Sequence, residues 1–95
     1  MSKRLDESDP NELITCPSCG YKTITDEYDI CPICGWEHDV WQLNHPDDDG
    51  GPNYVTLRDA QKNFREIGAS SPKRVRYSRP PSRNDIRDQN WESFT

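Results

Sequence analysis

Two copies of one five-residue cysteine motif constrain this chain more than anything else in it. Cys16-Pro17-Ser18-Cys19-Gly20 and Cys31-Pro32-Ile33-Cys34-Gly35 leave eleven residues between the inner sulfurs, and the chain has no other cysteine. Proline fixes φ after the first sulfur of each unit, and glycine permits φ > 0 or a close backbone approach after the second. Each unit can therefore turn back on itself with both sulfurs facing one point. Two such turns supply four thiolates at the corners of a tetrahedron, the geometry of a closed structural zinc site. The expected ligands are Cys16, Cys19, Cys31 and Cys34. With every coordination position filled by protein, no place is left for a substrate, and no catalytic residue is assigned.

Two disulfides are the competing use of four cysteines, with three possible connectivities. The opening Met1-Ser2-Lys3-Arg4-Leu5-Asp6 carries no apolar segment of the secretory kind. No run of about 18 apolar residues is available to cross a bilayer. The expectation is a cytoplasmic chain with no membrane partner, where thiols stay reduced and metal is preferred over disulfide. A thioredoxin-like redox pair belongs in a βαβ setting, which two clips mirrored across a short segment do not provide. Zinc and iron both suit four sulfurs. Cys19-Gly20-Tyr21 with Cys31-Pro32-Ile33-Cys34-Gly35 also resembles the iron knuckles of rubredoxin-type modules, and the small modules of rubrerythrins approach the spacing seen here. One structural zinc ion is expected, with iron as the alternative.

Ninety-five residues, 31% hydrophobic and 31% charged, allow one small domain with tails. Residues 1–12 read as a flexible acidic arm. From Leu13 onward Tyr21-Lys22-Thr23-Ile24-Thr25 is rich in β-formers, Asp26-Glu27 can turn the chain, and Tyr28-Asp29-Ile30-Cys31 alternates on return. That pattern predicts a hairpin with a clip at each end. Trp36 to Trp41 is compatible with a third short strand. Ile14, Tyr21, Ile24, Tyr28, Ile30, Ile33, Trp36, Val40 and Trp41 are the candidate core around the clips. The segment from His45 to Asn53 is a loop by composition. Its aspartates do not make a calcium loop, because the twelfth position from Asp47 is Arg58 where a glutamate is wanted. His38 and His45 are expected as surface or packing residues, since four sulfurs already complete a coordination shell.

Thr56 opens a helix, with Asp59 three residues on as an acidic variant of the capping box. Leu57, Ala60, Phe64 and Ile67 form one apolar stripe and Gly68 ends it. Beyond Ser70, Lys73, Arg74, Arg76, Arg79, Arg83 and Arg87 fall within fifteen residues against a single acid, Asp85. Pro72, Pro80 and Pro81 predict an extended start to this tail, and Ser82 with Asp85 predicts a short final helix carrying Ile86. Trp91 and Phe94 so near the C-terminus predict that the tail is docked, on its own domain or on a partner. The expected fold is a small metal-stabilised α+β: a four-cysteine zinc β-ribbon with one packed helix and an extended C-terminal tail. Its divisions are the arm at 1–12, the metal domain at 13–69 and the basic, proline-containing tail at 70–95.

The order Cys16-Pro17-Ser18-Cys19-Gly20-Tyr21, then Ile30-Cys31-Pro32-Ile33-Cys34-Gly35-Trp36-Glu37, resembles the bacterial cysteine-rich CPCC family. Asn53 to Phe64 and Gly68-Ala69-Ser70 are similar to that family's helix and its glycine stop, and Val75-Arg76 with Pro80-Pro81 to its basic tail. One departure is plain: the third place of the name-giving motif is Ser18, so that extra thiol is absent. The resemblance implies a small bacterial metal-binding domain and leaves its activity open.

The leading expectation for function is a non-catalytic zinc-binding module with a protein partner. Four thiolates subtract four charges and a divalent ion adds two, taking the formal −5 to −7, with the positive charge gathered in the tail. Such polarity steers a partner or ties the molecule to itself. Nucleic-acid binding is the alternative, because Arg74, Arg76, Tyr77, Arg79 and Arg83 mix cations with an aromatic, although the net charge opposes it. Iron-based electron transfer is a further alternative. Hydrolysis at zinc would need an open coordination position, with Glu37, His38 or Asp39 as base.

Overall fold

A computed structural model describes residues 12–94. The expected acidic arm, apart from Glu12, lies outside the described residues. Strand β1 (Ile14–Thr15) runs into the first clip, and β2 (Lys22–Ile24) runs out of it. The two pair antiparallel, with Ile14 opposite Ile24, Thr15 opposite Lys22 and a register irregularity between them. The second clip does the same on a smaller scale, with Ile30 bridged to Glu37.

Each clip thus closes its own hairpin, and the expected hairpin between residues 21–25 and 28–31 does not form. A Cys-Pro-x-Cys-Gly turn returns the chain within a few residues, so the nearest pairing is the one with the smallest loop to close. The chain does turn at Asp26-Glu27, with the Asp29 N–H on the Asp26 carbonyl at 3.2 Å, but the returning segment pairs elsewhere. Tyr28 adopts φ 70° and its N–H donates to the His38 carbonyl. The Asp29 carboxylate accepts from both the N–H and the hydroxyl of Thr25 at 2.9 Å. Pairing at Trp36–His38 ends where Asp39 caps helix α1 (Val40–Asn44), accepting from the Gln42 N–H at 2.9 Å. The third short strand therefore gives way to a helix from Val40 onward.

Helix α2 (Leu57–Ile67) begins and ends where its sequence says. Thr56 Oγ1 accepts from the Asp59 N–H at 3.0 Å, and Gly68 closes the helix at φ 76° with its N–H on the Phe64 carbonyl. Asp59 in the first turn and Arg65 in the last suit the helix dipole. Leu57 and Ala60 are buried and Phe64 partly so, but Ile67 stands half exposed. The stripe ends one residue short, and Gln61 is buried in its place.

The core is small: the four cysteines, Ile24, Ile33, Trp36, Leu57 and Ala60, with Tyr21, Val55 and Phe64 packed against it. Ile14, Tyr28, Ile30, Val40 and Trp41, expected around the clips, are exposed. A two-strand sheet and an eleven-residue helix enclose only one layer of side chains, so residues on the outer face have nothing to pack on.

After α2 the chain wraps back over both clips. Pro72 opens a 3-10 helix (Pro72–Tyr77), not an extended segment. Its fixed φ and missing N–H suit the first helical position. The Asp85 carboxylate accepts from the Ser82 N–H at 2.6 Å, but the Asp85 N–H donates to the Ser82 backbone carbonyl and not to its hydroxyl, so the pair closes only a turn. No helix follows among the described residues, because Ile86 to Asp88 is taken up as a strand-like edge against β2. Lys22 N–H donates to the Ile86 carbonyl at 2.8 Å, Tyr21 bridges Arg87, and Asp88 N–H donates to the Gly20 carbonyl at 2.9 Å. The tail docks on its own domain.

Candidate metal centre

The two clips are near-copies in three dimensions. The N–H of Gly20 donates to the Cys16 carbonyl and that of Gly35 to the Cys31 carbonyl, each at 2.8 Å. Cys16 N–H reaches the Tyr21 carbonyl at 2.8 Å, and Cys31 N–H reaches the Trp36 carbonyl at 2.9 Å. Gly20 and Gly35 sit at φ 84° and 79°, a region that costs a side-chain-bearing residue about 1–2 kcal/mol. These turns aim all four sulfurs inward. The ligand atoms of Cys16, Cys19, Cys31 and Cys34 lie within 4.8 Å of one another, and all four residues are buried. Among the described residues no other group of three or more His, Cys, Asp or Glu side chains converges in this way.

The sulfur spacing tests what these residues can hold. Cys16 Sγ lies 3.6 Å from Cys34 Sγ, and Cys19 Sγ lies 3.7 Å from Cys31 Sγ. A tetrahedron with metal–sulfur bonds of about 2.3 Å has edges of about 3.8 Å. A disulfide needs its sulfurs about 2.05 Å apart, and all four cysteines are free. The donor set therefore fits a single thiophilic ion. Thr23 Oγ1 adds a hydrogen bond to Cys31 Sγ at 3.0 Å, an outer contact that orients a ligand and spreads its charge.

Protonation reflects the crowding. Burial pushes the Cys16 thiol well above its ordinary value, and the sulfurs of Cys19, Cys31 and Cys34 add to the rise. Cys31 moves the opposite way, because hydrogen bonds from the sulfurs of Cys16, Cys19 and Cys34 stabilise its thiolate against desolvation. Four buried sulfurs cannot all carry negative charge without a cation among them, and a divalent ion is what makes four thiolates compatible.

The profile of the Cysteine-rich CPCC family matches residues 14–85, well over half of the chain. The chain belongs to that family. No curated protein matches it. In this CPCC member the matched region covers both clips, both α-helices and the turn at Asp85, and the strand-like edge at Ile86–Asp88 falls just beyond it.

The remaining sequence candidates take other places. His38 is buried outside the sulfur cluster. His45 is exposed, with its ring stacked on Trp41 at 3.6 Å and its Nδ1 2.8 Å from the Trp41 carbonyl. Asp39 caps α1, Asp47 pairs with Arg58 at 2.6 Å, and Asp48 accepts from Trp41 Nε1 and the Gly50 N–H.

Sequence reasoning passed over three amides that hold the centre's surroundings. Asn53 accepts from the Glu37 N–H at 2.6 Å and donates to the Glu37 carbonyl and to Gln42 Oε1, both at 2.9 Å. It thereby acts as a strand partner for the exit of the second clip. Gln42 donates onward to the carbonyls of Asp48 and Val55. Gln61 donates to the Pro17 carbonyl in the first clip and accepts from Ser93 Oγ and the Phe94 N–H. The one signal available was Gln61's place beside Ala60 on the inner face of α2; Gln42 and Asn53 carried none.

Proposed function

We propose that this CPCC chain is a non-catalytic, zinc-binding protein that serves as a protein-interaction or regulatory module in the reducing cytoplasm. The observation that carries this reading is the burial of four sulfurs at tetrahedral spacing, so that every corner of the coordination shell is protein. A closed shell supports a structural ion, since chemistry at zinc uses a position open to water. Zinc is preferred over iron because a buried, redox-inert ion suits a structural role, and a reducing compartment keeps thiols available to it.

The disposition of the tail cations supports a protein partner over nucleic acid. Arg79 pairs with Asp85 at 2.8 Å, Arg87 lies over the Trp91 ring, and Arg74 is packed against Gly35 and Tyr54. Cations used within the fold do not form the continuous track a phosphate backbone needs.

Elemental analysis and sulfur-ligand counting by X-ray absorption on the purified full chain test the reading. A colourless protein with one zinc per chain and four sulfur ligands is the expected result. A red sample containing iron would overturn the choice of metal, and an oxygen ligand on zinc would overturn the non-catalytic role.

A further inference from the structure

A groove of about 790 Å³ opens between the 3-10 helix and the loop that carries Tyr54. Its walls join partly exposed apolar side chains to cations that have no acidic partner among the described residues. Ile30, Tyr54, Val75 and Tyr77 line it while remaining 44, 57, 50 and 58% exposed. Lys73, Arg74 and Arg76 line it as well, and among the described residues none of them has a carboxylate within ion-pair distance. On a protein of formal charge −5, these cations stand beside exposed apolar surface without an acidic partner among the described residues.

We propose that this groove binds an acidic, amphipathic polypeptide segment of a partner protein; the proposal rests on reading the chain as an interaction module. Carboxylates of the segment would pair with Lys73 and Arg76, while aliphatic or aromatic side chains cover Ile30, Val75 and Tyr77. Single-stranded nucleic acid fits less well. The Lys73 ammonium and the Arg74 guanidinium lie 4.5 and 5.3 Å from the Tyr54 ring centroid, so that the ring is already used as a cation platform. Three cations also neutralise few phosphates on a molecule whose overall charge repels them. A small anion fits less well again, because so much of the lining is apolar.

The test uses the metal-loaded full chain and fluorescence anisotropy with three labelled probes. One is a peptide in which glutamates alternate with leucine and phenylalanine, the second replaces its apolar residues with serine, and the third is oligo(dT). Saturable binding of the first peptide is expected, with weaker binding of the serine version and of the oligonucleotide. The Lys73→Glu/Arg76→Glu variant, altered only at exposed side chains, is expected to lose about tenfold or more in affinity, and Tyr77→Ser to lose affinity for the first peptide alone. Equal binding of the serine peptide, tighter binding of oligo(dT), no saturable binding, or an unaltered double variant would each overturn the proposal. So would self-association abolished by the double variant, which would make a second copy the occupant. Metal content is read on the same samples. A chain that keeps its zinc and ignores the peptide refutes the groove alone, whereas a folded chain without zinc refutes the reading beneath it.

Discussion

A β-carbon added at Gly20 would lie 2.5 Å from Cε3 of Trp91, and one added at Gly35 would lie 2.8 Å from Cβ of Arg74. The clip glycines therefore satisfy two demands at once, a left-handed backbone and the close approach of a residue from the tail. Gly68 shares the backbone demand at φ 76°, but nothing stands within 4 Å of the site where its β-carbon would be. The contrast gives a prediction. Gly68→Ala should cost about 1 kcal/mol from backbone strain. Gly20→Ala should cost about 2–4 kcal/mol, because overpacking adds to that strain. Denaturant unfolding of the metal-loaded protein measures both, and equal losses would mean that Trp91 moves aside freely. Asn53 offers a second test at this scale. Asn53→Ala leaves the Glu37 N–H and carbonyl and the Gln42 amide oxygen without their shared partner, and should cost about 2–4 kcal/mol.

At the scale of elements, the tail behaves as a third edge of the first clip. Ile86 to Asp88 runs beside β2, and Trp91 roofs Gly20 while its Nε1–H donates to the Pro17 carbonyl at 3.1 Å. The turn before this edge is fixed by Arg79 and Asp85. The Arg79 guanidinium holds the Asp85 carboxyl down at about 2, with the Ser82 N–H and hydroxyl assisting. A depressed carboxylate stabilises the fold above its unfolded value of about 3.9, and the contribution disappears as pH falls towards about 2. Protons also displace metal from thiolates as pH falls, so the clean measurement is Asp85→Asn at neutral pH. With Arg79 45% exposed the loss should be about 1 kcal/mol or less, and metal content should not change. Trp91→Ala reaches the centre more directly. It should lower stability by about 2 kcal/mol and speed the transfer of metal to a chelator, since the space beside Cys19 is lined by Trp91, Tyr21 and Phe64.

For the whole molecule, the four-sulfur centre and the tail stand in for a larger core. One layer of apolar residues around four sulfurs is little to hold a chain of this length, and structural zinc contributes an apparent ~10–16 kcal/mol in small domains. Removing the ion with a strong chelator should abolish the native circular dichroism together with the Trp36 environment, and restoring the metal should recover both. A chain that kept its shape after chelation would show that packing alone suffices. Cys34→Ser should reproduce the chelated state. Truncation after Asp85, where the family match ends, should leave the ligands intact but weaken the first clip, detected as faster chelator attack. No helix among the described residues is long and apolar enough to cross a membrane.

How far the sequence spoke depends on the distance over which each feature is decided. The four sulfurs, the glycines behind them and the capped helix from Thr56 to Gly68 are set by neighbours within a few residues, so spacing and residue chemistry were enough to find them. Strand partners, the roles of Gln42, Asn53 and Gln61, and the path of the tail were not legible. Tyr21 and Ile30 have the same β-forming character whether they face each other or not, and only the closure of each clip on itself separates them. Trp91 meets Pro17 across 74 residues and Gln61 meets it across 44. Contacts of that span arise from the chain's packing as a unit around its metal centre, and no local pattern encodes them.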